Sequence, residues 1–221
     1  MTKITLTFDN GPDPEVTPMV LDALKHRGIP ATFFVIGEKL RDRRYYAERA
    51  HAEGHWIGNH TFTHLVPLGH CREAGFATQE IQRAEEALGD LSHTRQFFRP
   101  FGGGGHLDQG LLNPEALEYL QNGKHTCILW NAVPEDWAYP SAWVARALKI
   151  CSDLDHAVLV LHDVPTGAMN SLGEFLDRAR DAGAIFVQDY PESCVLIESG
   201  VIAQNVEPFV ATYRPECHAT G

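Results

Sequence analysis

Five places in this sequence hold residue types that can move protons or bind a metal ion. Asp9 and Asn10 are adjacent in Thr7-Phe8-Asp9-Asn10-Gly11-Pro12, and His60 and His64 are four apart in Gly58-Asn59-His60-Thr61-Phe62-Thr63-His64. Arg99 follows two phenylalanines, Asp136 precedes Trp137, and His162 precedes Asp163. On one helical turn the i, i+4 spacing presents two imidazoles to the same point, and neutral imidazole is a common ligand of zinc and similar metals. With 12 histidines in the chain that spacing arises readily by chance, so its meaning depends on its surroundings. An oxygen donor from Asp9 or Asn10 and a separate histidine to deliver a proton would complete the residue types of metal-assisted hydrolysis.

Each of these residues also has a plainer reading. Asn10-Gly11-Pro12 is strong turn chemistry, which is compatible with a functional role. His162 is either a site histidine or a buried core one. Arg99, if it faces inward, needs a carboxylate, and Asp9 is the natural partner. The run Gly102 to Gly105 is either a flexible loop or a segment whose N–H groups approach a ligand. Trp130, Trp137 and Tyr139 read equally as packing aromatics or as sugar platforms, while His70, His106 and His125 read as surface or packing histidines.

The elements that must position these groups alternate strand and helix, the pattern of an α/β fold with parallel strands. Strands are expected at 4–8, 31–36, 55–58, 97–98, 126–130, 157–161 and 184–187. Between them, Val16, Val20, Leu21 and Leu24 form one helical stripe opened by Asp13 and Pro14, with a mixed-charge helix following at 38–52. Ile81, Ala84 and Leu88 form another stripe, Ser141 caps a helix carrying Val144, Ala147 and Leu148, and Ser171 with Glu174 reads as a capping box for Leu172, Phe175, Leu176 and Ala179. Seven such units predict a single-domain, distorted seven-stranded (β/α) barrel over 1–190, with an irregular tail over 191–221 packed on it. Catalytic groups of such barrels sit after the strands, which is where Asp9, Asn10, His60, His64, Arg99, Asp136, Trp137, His162 and Asp163 fall.

Composition sets the class. The chain has 221 residues, is 44% hydrophobic and carries a formal charge of −11, with 29 acidic residues against 18 Lys and Arg. That balance argues against nucleic acid, whose binding is driven by basic side chains displacing counterions, and favours neutral or cationic ligands. No run of about 18 apolar residues predicts a membrane span. The five cysteines are odd in number and widely spaced, so no disulfide framework is expected. With no charged n-region before Ile4, the expectation is an unprocessed cytoplasmic protein.

Five segments in order resemble the motifs of the polysaccharide deacetylase family, spanning Thr7 to His162. Thr7 to Pro12 resembles Thr-Phe-Asp-Asp-Gly-Pro with Asn10 in place of the second aspartate, and His60 to His64 meets His-Ser/Thr-x-x-His in full. Arg99-Pro100-Phe101-Gly102 meets Arg-x-Pro-Phe/Tyr approximately. Asp136-Trp137 keeps the end of Asp-x-x-Asp-Trp but has Val133 at its start, and Leu159 with His162 meets Leu-x-x-His. The resemblance implies removal of N-acetyl groups from an amino-sugar oligosaccharide or polysaccharide such as a chitooligosaccharide. It implies a divalent metal, zinc first and cobalt or manganese next, held by Asn10, His60 and His64. Asp9 would be the base tethered by Arg99, His162 the acid with Asp136 as its partner, and a backbone N–H near Phe101 or Gly102 the oxyanion donor. Trp137 and Leu159 would wall the acetyl methyl.

Asn10 removes a full negative charge from that ligand set. At an effective dielectric of ~20, two unit charges ~4 Å apart are worth about 4 kcal/mol, so metal affinity should fall, although an amide oxygen still coordinates. Two rival readings follow: a metal-free carbohydrate-binding relative, motivated by Asn10 and Val133, and a hydrolase of a small acylated amine or cyclic amide.

Overall fold

The computed structural model describes residues 1–213; residues 214–221, including Pro215 and Cys217, lie outside the described range. The seven expected parallel strands are all present: β1 (Lys3–Asp9), β2 (Thr32–Val35), β3 (Trp56–Asn59), β4 (Phe97–Phe98), β5 (Thr126–Ile128), β6 (His156–His162) and β7 (Ile185–Val187). β1 is central. It pairs with β6 along its whole length, from Lys3 opposite His156 to Asp9 opposite His162. Its other edge is shared, with β7 against Lys3 to Thr5 and β2 against Thr7 to Asp9. From β2 the sheet continues in parallel through β3 and β4 to β5.

The sheet curls into a distorted barrel whose seam lies between β5 and β6. A single parallel bridge, Ala132 to Leu159, closes it, with Asn131 adding side-chain bonds to the backbone of His156 and Val158. The tail differs from the sequence expectation. Instead of running irregularly, it adds β8 (Val195–Glu198) and β9 (Val201–Ile202), an antiparallel pair that covers the free edge of β5. Val195 to Ile197 are a short buried apolar run, too brief for periodicity to distinguish from a loop.

Period-two alternation sorts the strand residues. On β1, Ile4, Leu6 and Phe8 pack into the core beneath the helices, leaving Thr5, Thr7 and Asp9 on the opposite, inner face. The same core takes Ala157, Leu159 and Leu161 of β6, whereas Val158 and Val160 join a second cluster. The outer layer comprises α1 (Val16–Lys25), α2 (Leu40–Ala52), α3 (Phe76–Leu88), α4 (Pro114–Asn122), α5 (Trp143–Ser152) and α6 (Leu172–Asp181). The expected stripes of α1, α3 and α6 are buried, as are Val144 and Ala147 of α5.

Several local expectations are corrected. α1 begins at Val16, although Asp13 Oδ1 does accept the N–H groups of Glu15 and Val16 at 2.9 Å. Neither Ser141 nor Ser171 makes a side-chain cap, and Glu174 pairs with Arg178 instead. α4, not anticipated, is opened by Asn113, whose Oδ1 accepts Ala116 N–H at 2.8 Å ahead of Pro114. Among the described residues no helix is long and apolar enough to cross a membrane.

Candidate active site

The register of β1 against β6 sets Asp9 level with His162 at the carboxyl end of the sheet. Arg99 lies just after β4, is fully buried, and reaches across the barrel: Nη1 donates to Thr7 Oγ1 at 2.6 Å and to Asp9 Oδ1 at 3.0 Å. Its other nitrogens reach the carbonyls of Ile128 and Leu129, and its guanidinium lies 4.1 Å from the Phe34 ring centroid. The pair is buried, charge-assisted and braced on several sides.

His60 and His64 do converge, but not on a helix. The segment after β3 is irregular, with left-handed backbone at Thr61 (φ 66°) and His64 (φ 56°), and their rings lie 4.9 Å apart between centroids. Two residues with no apparent motif role hold this loop. Asn59 Oδ1 accepts Thr61 N–H at 2.8 Å, and the buried Glu80 of α3 accepts both the N–H and the hydroxyl of Thr63. His60 Nδ1 donates to the Arg99 carbonyl at 2.8 Å, leaving Nε2 as the unprotonated nitrogen, 3.7 Å from Asp9 Oδ2. His64 is stacked on Phe101 at 3.7 Å. Burial pushes both imidazoles down to about 3, with the Arg99 charge adding to the effect on His60 and the nearness of the two rings adding to that on His64, so both are neutral.

Asn10 adopts φ 72°, and its Oδ1 is buried with no hydrogen-bond partner. Opposite, His162 Nδ1 lies 2.9 Å from Asp136 Oδ1, while the second carboxylate oxygen accepts the His162 N–H at 3.0 Å. Burial alone would lower the His162 pKa; the bond to Asp136 and the charges of Asp136, Asp9 and Asp163 outweigh it and raise the pKa. Trp137 meets the His162 ring edge-on at 4.8 Å.

These groups line one cavity of about 220 Å³. Asp9, Asn10, His60, His64 and His162 form its polar side, and Phe101, Trp130, Val133, Trp137, Val160 and Val164 form most of the apolar side. Gly102, Gly104 and Gly105 complete the rim, the last pinned by Trp130 Nε1 donating to its carbonyl at 2.8 Å. Leu159 is not a wall. It is fully buried on the helix side of β6, because the alternation that points His162 and Val160 into the cavity points Leu159 away. Tyr139 is half exposed and packs on Arg146 away from the cavity, His70 and His106 are exposed, and His125 is buried against Glu85.

Beneath the cavity lies Asp163, a strand-end residue to which the sequence attached no role. It is fully buried, accepts the Thr17 hydroxyl at 2.5 Å, and burial pushes its carboxyl up to about 7, with Thr17 and Lys39 opposing.

Comparison with known proteins agrees with this architecture. The polysaccharide deacetylase family profile matches residues 2–119. A chitooligosaccharide deacetylase of Rhizobium leguminosarum bv. phaseoli is 35% identical over 161 residues, covering 72% of this chain and 66% of the relative. A peptidoglycan-N-acetylglucosamine deacetylase of Bacillus cereus is 30% identical over 190 residues, covering 84% and 66%. The chain thus spans about two thirds of the length of each. The crystal structure of the Bc1960 peptidoglycan N-acetylglucosamine deacetylase superposes with a TM-score of 0.72 at 28% identity, over 84% of this chain and 85% of that one. A family 4 carbohydrate esterase from Streptomyces lividans, 23% identical over 88% of this chain and 96% of its own, shares the fold at a TM-score of 0.72. By profile, sequence and fold, the chain belongs to the polysaccharide deacetylase family.

Proposed function

We propose that this protein hydrolyses the acetamide of an N-acetylated amino sugar in a short oligosaccharide, releasing acetate and a free amine. The observation that carries the reading is that Asp9, braced from behind by Arg99, and His162, braced by Asp136, line the same cavity as two neutral imidazoles. The names of the relatives supply the substrate class: chitooligosaccharide in one, peptidoglycan N-acetylglucosamine in the other.

The donor set fits a divalent cation. His60 and His64 are neutral, His60 has its other nitrogen committed to a carbonyl, and the Asn10 amide oxygen is buried without a partner. Among the described residues no three His, Cys, Asp or Glu side chains are grouped to hold a metal; with Asn10 as the third donor the site would carry one negative charge fewer than a carboxylate would give it. Zinc, cobalt and manganese are the candidates, and a bound ion supplies Lewis acidity toward a carbonyl oxygen.

The chain's own residues do the rest. Asp9, paired with Arg99, accepts the proton of the water that attacks the acetyl carbon. As the new C–O bond forms and the C–N bond breaks, His162 gives its proton to the departing nitrogen, and Asp136 fixes the tautomer that makes this possible. Phe101 and Gly102 line the cavity, and a backbone N–H of one of them would stabilise the negative charge that develops on the acetyl oxygen. Trp137, Val133 and Val160 exclude water around the methyl group.

Acetate release from a panel of N-acetylated chitooligosaccharides and N-acylated amines, with His162→Ala as control, tests the reading. Release from sugars that the control lacks supports it; release from none of the panel overturns it. Asn10 and the missing three-residue cluster favour one other reading, a carbohydrate-binding relative whose chemistry has lapsed. That reading requires wild type to bind sugar but no metal, and Asn10→Asp to restore both metal and turnover.

A further inference from the structure

The turn from Asn10 to Asp13 has no regular structure, yet each of its carbonyls receives a donor. Lys39 Nζ donates to Asn10 O at 2.6 Å, Ile36 N–H to Gly11 O at 3.0 Å, Arg43 Nη1 to Pro12 O at 3.3 Å, and Thr17 N–H to Asp13 O at 3.1 Å. The Thr17 hydroxyl in turn accepts Asp13 N–H at 2.7 Å and donates to Asp163 Oδ2 at 2.5 Å. Asp163 is 0% exposed, and its Oδ1 has no partner. A β-carbon at Gly11 would fall inside the Asp163 carboxyl group, 2.5 Å from Cγ. Gly11 is not among the positive-φ glycines, so the obstacle to a side chain there is Asp163 and not the backbone. A buried carboxyl with so few bonds is destabilising in itself, and that burden points to a role for the group.

We infer that Asp163 is a positioning residue: its carboxyl fills the space beneath Gly11 and, through Thr17, holds the turn so that Asp9 and Asn10 face the cavity. This rests on the reading of Asp9 and Asn10 given above, and extends it to a group that touches neither substrate nor ion. Lys39, anchored on the Asn10 carbonyl, completes the clamp.

Amide hydrogen exchange over residues 9–13 tests the inference without any substrate, and kinetics on the acetylated panel follow. Asp163→Ala should raise exchange in that segment by about tenfold or more while β3 is unchanged. It should also lower kcat by about tenfold or more with KM within about twofold. Asp163→Asn, which keeps the volume and can still accept from Thr17, should restore both. Gly11→Ala should be severe in wild type and add little in the Asp163→Ala background, a coupling that independent sites do not show. If Asp163→Ala does not fold, Thr17→Val carries the test, with raised exchange over 9–13 as the expected result. Exchange within about twofold of wild type in the folded variant, or an equal Gly11→Ala effect in both backgrounds, overturns the inference. Raised exchange in Asp163→Ala together with a wild type that releases no acetate leaves the clamp standing and removes the hydrolase reading.

Discussion

The two sides of the cavity treat their polar groups in opposite ways. Where protons would move, Asp9 and His162 are each tied to a fully buried partner, Arg99 and Asp136, and every bond in those pairs lies between 2.9 and 3.0 Å. Where an ion would sit, His64 rests on an aromatic ring and the Asn10 oxygen has no partner at all. One side is braced by buried partners, whereas the other keeps its two imidazoles neutral and its amide oxygen unsatisfied.

Breaking the braced side should have the largest effect. Asp9→Asn removes the base and leaves Arg99 buried without its carboxylate, so kcat should fall by about 10²- to 10⁴-fold in steady-state acetate release. The unsatisfied side should respond to gain of charge: Asn10→Asp should tighten zinc binding by about 10²-fold in calorimetric titration, whereas His60→Ala should abolish it. An unchanged affinity in Asn10→Asp would mean that position 10 does not face the ion.

A subtler probe is Asp136→Asn, for which kcat near pH 8 should drop by about tenfold. Without the bond and charge of Asp136 to oppose burial, the His162 pKa falls, so the alkaline limb of the pH–rate profile moves to lower pH. The stability that a raised His162 contributes is present below its ordinary value of 6.5 and lost as pH rises through the folded value, and this dependence should weaken in the variant. The smallest effect on chemistry should come from Leu159→Ala. Its side chain is in the core beneath the helices, so thermal melting should report a loss of about 2–5 kcal/mol while KM is unchanged.

The strands were legible because β1 and β6 are apolar runs ended by chemistry-bearing residues, and because strand ends are where such barrels place their sites. Leu159 was misplaced for want of a register: motif spacing says that a leucine precedes the histidine, while only the pleat says which face it takes. The His60 and His64 loop was misread as a helical turn because i, i+4 spacing is also reached by two left-handed residues, and Thr61 carries no signal for that conformation. α4 was not anticipated, although Asn113-Pro114, a cap followed by a first-turn proline, carries a signal for it. Glu80 and Lys39 could not have been found, since their partners come together only in the folded chain.

One feature of the barrel reaches beyond catalysis. The eight residues from Trp130 to Trp137 carry the lone bridge that stitches the seam, at Ala132, the apolar face at Val133, the carboxylate on His162, at Asp136, and the aromatic edge beside that ring. Closure of the ring, the shape offered to a ligand and the proton affinity of the acid are therefore inherited together. A short insertion here would alter all three at once.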